Sequence, residues 1–272
     1  MERPIAVIDS GVGGLTVLHE LMRQLPKEKF VYLGDTYRCP YGSKTKEQVR
    51  EFVWDIVNYL LKRNIKCLII ACNTATAYTI KELQSELTIP VIGVIKPGGR
   101  AAVNVTRNKK IGVIGTEGTI QSRAYSKVLH HIDPTLNIYS LACPPFVPLI
   151  EKGIIQEQEA KQIITETLIP LKDTDIDTLI LGCTHYPIIK DLIQKVLGPD
   201  VKIVSSGEET ARETSSILDS FGLTTVNSDM LSLNHEFYTT GELEKFKEIT
   251  RLIFNENLNN LNEVKFNNAV FS

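Results

Sequence analysis

Short apolar runs alternate with longer segments of helical periodicity along this chain. The runs are rich in Ile, Val and Leu and end in Gly, Asp or Cys, which is typical of buried parallel strands followed by helices. We predict strands at Ile5–Ile8, Phe30–Leu33, Cys67–Ala71, Ile111–Ile114, Ile138–Leu141 and Thr178–Leu181. We predict helices at Leu15–Leu25, Lys46–Arg63, Thr74–Leu87, Gln121–His130, Gln156–Leu168 and Ile188–Val196. The alternation indicates an α/β fold with parallel sheets.

The pattern changes after residue 207. A helix is predicted at Glu208–Phe221, a strand at Glu236–Thr239 and a further helix from Glu242. The stretch Asn255–Asn268 is rich in Asn and has little periodicity, so we expect a weakly ordered tail.

The two halves of the chain repeat each other. Three pairs of segments align at nearly the same offset: Ile5–Gly11 with Ile111–Glu117, Pro26–Leu33 with Pro134–Leu141, and Leu68–Thr74 with Leu179–His185. The repeat predicts two similar α/β lobes, with crossings at Ile89–Gly93 and Ser205–Gly207. We place one lobe at residues 1–95 plus 208–272 and the other at residues 96–207.

Charge and cysteine content narrow the classes of function. A formal net charge of −2 gives no basic surface for nucleic acid, and no apolar run is long enough to span a bilayer. The sequence Met1–Pro4 leads into a strand without a signal-peptide pattern. The odd number of cysteines, five, favours reduced thiols. We therefore expect a cytoplasmic protein that binds neither nucleic acid nor membrane.

Two of the cysteines occupy matching positions in the repeat. Cys72 and Cys183 each follow a predicted strand and precede a predicted helix, as Asp9 does. Ligands of parallel sheets bind at these strand ends, and a helix N-terminus lowers the pKa of a thiol so that it can act as a base. A free cysteine is also often a small buried hydrophobe, and that is the reading we give to three others: Cys39, Cys67 and Cys143.

The segment Asp9–Gly14 joins a strand to a helix and contains three glycines. It matches no phosphate-binding motif, and Asp9 would repel a phosphate. We expect the loop amides to hold a carboxylate, with Asp9 holding an ammonium group or orienting a base; the alternative is that the glycines only form a tight turn. In the second repeat, His185 follows Cys183 by two residues and is expected to assist it.

Three other functions would also use some of these strand-end residues. Asp9, Cys72, Cys183 and His185 could ligate zinc, but no short paired-ligand motif is present, so we predict no metal. A Cys183–His185 pair could also serve a cysteine hydrolase. A third possibility is a two-lobed protein that binds an amino acid without catalysis.

Four motifs in order resemble those of glutamate racemases, in the aspartate/glutamate racemase superfamily: Asp9–Val17, Pro40–Gly42, Ala71–Ala75 and Gly182–Pro187. The resemblance runs from about Pro4 to about Arg251. It implies two lobes related by pseudo-twofold symmetry with glutamate between them, and neither pyridoxal phosphate nor metal. It also implies a homodimer that supplies D-glutamate for peptidoglycan, and hence for cell wall and cell shape. Aspartate racemase is the nearest alternative in specificity.

The resemblance further implies roles for individual residues. Cys72 would take the Cα proton from D-glutamate and Cys183 from L-glutamate, and Asp9, Glu151 and His185 would assist. Only the resemblance singles out Glu151. The residues expected to bind the substrate are Asp9, Ser10, Tyr41, Gly42, Asn73, Thr74, Thr116, Thr119, Thr184 and His185.

Overall fold

The chain folds around two parallel β-sheets in a computed structural model that describes residues 3–151, 157–226, 234–255 and 258–266. The first sheet has the order β10-β9-β2-β1-β3-β4 and the second the order β6-β5-β7-β8. The strands of the first sheet are β1 (Ile5–Asp9), β2 (Phe30–Gly34), β3 (Cys67–Ile70), β4 (Val91–Gly93), β9 (Glu236–Thr239) and β10 (Leu261–Glu263). Those of the second are β5 (Lys110–Gly115), β6 (Asn137–Ala142), β7 (Thr178–Gly182) and β8 (Lys202–Ser205). The predicted α/β class is confirmed.

Helices connect the parallel strands and cover the sheets. They are α1 (Leu15–Gln24), α2 (Lys46–Leu61), α3 (Asn73–Glu86), α4 (Ile95–Val105), α5 (Glu117–Gln121), α6 (Ala124–Ile132), α7 (Phe146–Glu151), α8 (Glu157–Lys172), α9 (Lys190–Leu197), α10 (Ser206–Ser220) and α11 (Leu243–Phe254). Of the described helices, none is long and apolar enough to cross a membrane.

The internal repeat is confirmed at the level of strand register. In the first sheet Ile5 lies opposite Phe30 on one side and Cys67 on the other. In the second sheet the equivalent residue, Ile111, lies opposite Ile138 and Thr178. The order β2-β1-β3-β4 thus recurs as β6-β5-β7-β8, with the residue equivalences that the sequence repeat predicts.

Both faces of the inner strands are covered by apolar packing, which explains why β1, β2, β3 and β7 are almost entirely apolar and buried along their length. On β1, Val7 belongs to the core under α1, and its neighbour Ile8 belongs to the core under α2 and α3. On β5, Val113 and Ile114 divide in the same way between two cores. Successive side chains alternate between faces because the side-chain period of a strand is two.

Two helices mark where the chain passes between the sheets. Ile95 on α4 packs in a core of the second sheet, whereas Ala211 and Leu218 on α10 pack in a core of the first. The chain therefore passes to the second sheet after β4, which occupies most of the predicted crossing at Ile89–Gly93, and returns at the start of α10. The assignment of residues 1–95 plus 208–272 and 96–207 as lobes stays a prediction.

One predicted helix is wrong in its bounds. Instead of a single helix at Gln121–His130, α5 ends at Gln121 and α6 begins at Ala124. Arg123 between them has φ of 54°, which breaks the helix, and Thr116 caps an earlier start. The predicted helix at Gln156–Leu168 extends to Lys172; its first residue, Gln156, lies outside the described residues.

The expectation of a weakly ordered tail at Asn255–Asn268 is wrong for part of that stretch. Leu261–Glu263 forms β10, which pairs in parallel with β9, and the ring of Phe266 packs edge-on against Tyr59. The open edge of β9 supplies backbone hydrogen-bonding groups that require no apolar pattern in the pairing strand. Residues 256–257 and 267–268 of the tail lie outside the described residues.

Candidate active site

The carboxyl ends of β1, β3 and β7 place Asp9, Cys72 and Cys183 at one edge of the two sheets. A small cavity opens there, lined by residues from both halves of the chain. Ten predicted site residues line it: Ser10, Tyr41, Gly42, Cys72, Asn73, Thr74, Thr116, Cys183, Thr184 and His185. Pro40, Val147 and Gly182 complete the lining. The other three predicted site residues do not line the cavity but form hydrogen bonds with residues that do: Asp9, Thr119 and Glu151.

Cys72 caps the N-terminus of α3. Its Sγ accepts a hydrogen bond from the backbone N–H of Ala75 at 3.4 Å, and the side chain is buried. Burial, together with the negative charge of Asp9, nevertheless raises the pKa of Cys72 to about 12. The expected lowering of this pKa by the helix N-terminus is therefore wrong, because desolvation of the thiolate outweighs the hydrogen bonds from Ser10 and Ala75. In this site Cys72 is a thiol.

Cys183 has a cationic partner. Its Sγ lies 3.8 Å from Nδ1 of His185, and Nε2 of His185 lies 3.2 Å from Oε1 of Glu151. Burial opposes protonation of this imidazole, but the hydrogen bonds to Cys183 and Glu151 prevail and raise the pKa of His185 to about 10. Burial likewise disfavours the Glu151 carboxylate, yet the hydrogen bonds from His185 and Cys39 lower its pKa overall. An imidazolium beside Cys183 stabilises negative charge on that sulfur.

The backbone differs after the two thiols. Cys72 precedes α3 directly, whereas Cys183 is followed by a 3₁₀ turn at Tyr186–Ile189 before α9. The expectation that both thiols open a helix therefore holds for Cys72 and is wrong for Cys183. The imidazolium of His185 supplies the positive charge that a helix N-terminus would otherwise provide.

Asp9 is held from both halves of the chain. Its Oδ2 accepts a hydrogen bond from the backbone N–H of Gly11 at 3.0 Å, and its Oδ1 accepts one from the Thr184 hydroxyl at 3.3 Å. Burial raises its pKa, against the opposing charge of His185. The Gly11 amide is therefore used by Asp9, and the expectation that amides of this loop hold a substrate carboxylate stays a prediction for the remaining residues.

The glycines of the Asp9–Gly14 loop allow close approach as well as a turn. A Cβ atom on Gly13 would lie 2.5 Å from Oγ1 of Thr184 and 2.7 Å from Nδ1 of His185. A side chain at this position would push away the residues that hold Cys183. Gly13 is thus what lets the first half of the chain meet the second at the cavity.

Three threonine hydroxyls form a cluster across the cavity. Oγ1 of Thr74 lies 2.8 Å from that of Thr116 and 3.1 Å from that of Thr119. Thr74 lies in the first turn of α3, whereas Thr116 caps α5 and Thr119 lies in its first turn. Thr119 reaches the cavity through the other two hydroxyls. These groups, with the first amides of α3, form a polar wall suited to a carboxylate.

Asn73 carries an unpartnered donor. Its Oδ1 accepts a hydrogen bond from the hydroxyl of Tyr125 at 2.7 Å, and its buried Nδ2 has no hydrogen-bond partner among the described residues. A buried donor without a partner is costly, and a ligand acceptor in the cavity would satisfy it. Sequence reasoning missed Tyr125, because nothing in the periodicity of its helix distinguishes it from a core aromatic residue.

Tyr41 is fixed by a buried charge network. Its hydroxyl donates to Asp35, which also pairs with Arg38 at 2.6 Å. The Arg38 guanidinium lies over the rings of Phe52 and Phe266, 4.3 and 5.3 Å from their centroids. Sequence reasoning missed Asp35 and Arg38; their only signal is their closeness to the Pro40–Gly42 motif.

Cys39 differs from the other two cysteines that we expected to be small buried hydrophobes. Cys67 and Cys143 lie within apolar cores, as expected. Cys39 instead donates a hydrogen bond from Sγ to Oε1 of Glu151 at 3.0 Å, so the hydrophobic reading is wrong for this residue. Among the described residues, Cys39, Glu151 and His185 also form the one group of three whose donor atoms lie close enough to ligate a single ion.

The arrangement can move a proton in two directions. One cavity is lined by two thiols in opposite electrostatic surroundings, Cys72 near the carboxylate Asp9 and Cys183 near the imidazolium His185. The two sulfurs thus face charges of opposite sign. Two such groups around one cavity are what inversion at a carbon centre requires.

This combination of two repeated α/β sheets and two thiols belongs to a known class of enzymes. The model of the Asp/Glu/Hydantoin racemase family matches residues 5–214, and the chain belongs to that family. It is accordingly an isomerase of the amino-acid racemase class.

Within that family the chain is similar to glutamate racemases. It is 58% identical over 257 residues to the glutamate racemase of Oceanobacillus iheyensis, covering 94% of this chain and 93% of the relative. A glutamate racemase from Bacillus anthracis matches with a TM-score of 0.92 and 47% identity, over 99% of both chains. That of Francisella tularensis in complex with D-glutamate matches with a TM-score of 0.90 and 35% identity, over 97% of this chain and 98% of the other. The resemblance expected from the four motifs is confirmed.

Proposed function

We propose that this protein interconverts L- and D-glutamate by proton transfer between Cα and two cysteines, without a cofactor. The observation that carries the proposal is the pairing of opposite environments at one cavity, Cys183 beside a cation and Cys72 beside an anion. The substrate is inferred from the relatives, whose names state glutamate, and from the complex of one of them with D-glutamate.

The first step starts from L-glutamate. Cys183 as thiolate removes the Cα proton, and the Cys72 thiol gives its proton to the opposite face of the same carbon. The product is D-glutamate, with Cys183 now a thiol and Cys72 a thiolate. D-Glutamate reacts by the same steps in reverse, and each proton transfer by a positioned group contributes about 10²- to 10⁴-fold to the rate.

Asp9 and His185 support the two thiolates in turn. The His185 imidazolium, held by Glu151, stabilises the Cys183 thiolate. When Cys72 carries the charge, a proton on Asp9 removes the repulsion between them, and the raised pKa of Asp9 makes that proton accessible. The charges that change during turnover are thus each paired with a titratable neighbour.

The hydroxyl and amide groups of the cavity bind the substrate. The Thr74, Thr116 and Thr119 cluster and the free Nδ2 of Asn73 would donate to substrate carboxylate oxygens. Negative charge grows on the α-carboxylate as the Cα proton leaves, so donors fixed at this position stabilise the transition state more than the substrate.

A second candidate function, that of a cysteine hydrolase, is supported by one separate observation. Cys183, His185 and Glu151 are connected in the order nucleophile, base and orienting carboxylate. A hydrolase would need one thiol and would form a covalent acyl intermediate, whereas Cys72 lines the same cavity. Membership of the racemase family decides against it. Mass spectrometry of the protein after incubation with glutamate should show no adduct.

The test of the proposal is hydrogen exchange without added cofactor. The purified protein is incubated in D₂O with L-glutamate and, separately, with L-aspartate, and optical rotation and Cα deuteration are followed. We expect both loss of rotation and deuteration with glutamate, and far slower change with aspartate. Binding of glutamate without exchange would identify a silent binding protein, and faster exchange of aspartate would reassign the substrate.

We further propose that the protein works in the cytoplasm as a homodimer and supplies D-glutamate for peptidoglycan. These proposals rest on the similarity to glutamate racemases and on the composition of the chain. The two lobes would be residues 1–95 plus 208–272 and residues 96–207, with the substrate between them. Sedimentation of the purified protein tests the dimer, and restoration of a strain that requires D-glutamate tests the supply.

A further inference from the structure

Three donor atoms of different chemistry converge behind the cavity. Sγ of Cys39 lies 3.0 Å from Oε1 of Glu151, and Nε2 of His185 lies 3.2 Å from the same oxygen. All three atoms lie within 4.8 Å of one another. They come from the loop after β2, the last residue of α7 and the turn after β7, so the cluster joins both halves of the repeat.

A thiol, an imidazole and a carboxylate are the side chains that bind zinc in proteins. Zinc bonds of about 2.0 to 2.3 Å place tetrahedral ligand atoms between about 3 and 4 Å apart, which the two distances from Glu151 nearly match. The Glu151 side chain is 29% exposed and lines a cleft of about 870 Å³, whereas His185 is buried, so an ion would reach the cluster from the side of Glu151. Water can complete the coordination from that cleft.

We propose that Cys39, Glu151 and His185 form an inhibitory site for a thiophilic divalent cation, with zinc as the representative ion. The site is distinct from the two thiols of the cavity. It uses Nε2 of His185, whereas Nδ1 of the same ring faces Cys183. No metal takes part in the proposed racemisation.

Cation binding exchanges protons for metal. Zinc would replace the thiol proton of Cys39 and the Nε2 proton of His185, so two protons are released for each ion bound. Because the metal competes with these protons for the same atoms, zinc affinity should rise with pH.

The bound ion would stop catalysis through His185. A metal on Nε2 takes the place of the proton that Glu151 holds, and the imidazolium that stabilises charge on Cys183 is lost. The ion would also tie Cys39 and His185, which belong to opposite halves of the chain. This consequence rests on the proposed racemase function, but binding of the cation does not.

The experiment uses the full chain with two readouts. Racemisation is measured against increasing zinc, and cobalt(II) is titrated while the thiolate-to-cobalt absorption band is recorded. Cys39→Ser is the informative variant, because serine keeps an O–H donor for Glu151 but is a poor ligand. Cys67→Ala is the matched control, because Cys67 is a buried thiol of the first sheet core, at the opposite end of β3 from Cys72.

We expect zinc to inhibit the unmodified protein and Cys67→Ala alike, each relative to its own rate without metal. Cys39→Ser should need at least about 10-fold more zinc for the same inhibition. Losing even a hydrogen-bond partner of a metal ligand lowers metal affinity about 10- to 100-fold, and Cys39 is itself a ligand in the proposed site. The cobalt band should be absent in Cys39→Ser. Equal inhibition of all three proteins, or a cobalt band that survives in Cys39→Ser, would show that the ion binds elsewhere and overturn the proposal. If no racemisation occurs in any protein, the cobalt titration still decides whether the site exists.

Discussion

Tyr125 donates a hydrogen bond to Oδ1 of Asn73 across the boundary between the two repeats, at 2.7 Å. Tyr125 lies on α6 and Asn73 opens α3. The bond fixes the amide so that Nδ2, which has no partner among the described residues, remains available to the cavity. Tyr125, which does not line the cavity, thereby fixes which end of the Asn73 amide faces it.

Replacing Tyr125 by Phe should weaken substrate binding. The variant keeps the ring but loses the hydroxyl that orients Asn73, so the amide can rotate away from its binding orientation. Loss of one neutral hydrogen bond costs about 1 kcal/mol, so KM for glutamate should rise roughly 5-fold with little change in kcat. Steady-state kinetics measure this. Tyr37→Phe is the control, because Tyr37 is 63% exposed; an unchanged KM in Tyr125→Phe would refute the positioning role.

Glu151→Gln should move the alkaline limb of the pH profile to lower pH. The Glu151 carboxylate helps to raise the pKa of His185 to about 10, and the imidazolium exists below that value. Activity from L-glutamate should therefore persist through neutral pH and fall as pH rises through the His185 pKa. Without the carboxylate the fall should come about one to two pH units earlier, since a hydrogen bond to a charged group is worth about 1.5 to 3 kcal/mol.

For Glu151→Gln, kcat/KM is measured with L-glutamate across about pH 6 to 11. This range includes both the ordinary pKa of histidine and the raised pKa of His185. Glu159→Gln on α8 serves as control, since the side chain of Glu159 is exposed. A profile that falls in rate at every pH without moving its alkaline limb would show that Glu151 does not act through His185.

Gly13→Ala should damage both activity and stability. The added methyl group would lie 2.5 Å from Thr184 and 2.7 Å from His185, so the two halves must move apart. Overpacking of this kind costs about 1 to 3 kcal/mol in the free energy of unfolding. Gly207→Ala is a matched control, because its methyl group would meet neighbours at ordinary contact distances of 3.5 Å and above. Denaturant unfolding and kinetics of both variants test this, and equal behaviour would contradict it.

Phe266→Ala should show that the C-terminal segment supports the site. Phe266 covers one face of the Arg38 guanidinium, which holds Asp35 and through it Tyr41 at the cavity. Loss of this cation–π contact should lower the free energy of unfolding by about 0.5 to 2 kcal/mol. Phe221→Ala, at a ring that is 66% exposed, should lower it less. Equal losses in denaturant unfolding would mean that Phe266 does not brace Arg38.

Much of the fold follows from local patterns in the sequence. The six strands predicted within the repeat lie within one residue of their predicted bounds, because their apolar runs are continuous and the inner ones are buried on both faces; β4 and β8 were not predicted. The positions of Cys72 and Cys183 also follow, since the carboxyl ends of parallel strands meet at one edge. Strand β10 could not be predicted, because pairing at the edge of β9 depends on backbone groups and not on side-chain pattern.

The contacts within the site were predicted less completely. Tyr125 and Cys39 act through hydrogen bonds to residues 52 and 112 positions away in the chain, which no local pattern reveals. The pKa of Cys72 was expected to be low from its place at a helix N-terminus, and the opposite shift arises from burial and from Asp9. The balance of desolvation and charge that sets a pKa depends on every group nearby in space, and the local sequence does not show which groups those are.

The central claim is that each thiol serves one face of the substrate carbon, and single-cysteine variants test it most directly. Cys72→Ser and Cys183→Ser are each incubated in D₂O with L-glutamate and with D-glutamate, and Cα deuteration and optical rotation are recorded. Racemisation should fall by about 10²-fold or more in both. Cys72→Ser should still exchange the Cα hydrogen of L-glutamate without inversion, and Cys183→Ser that of D-glutamate. Retention of racemisation by either variant, or exchange of the same enantiomer by both, would contradict the two-thiol mechanism.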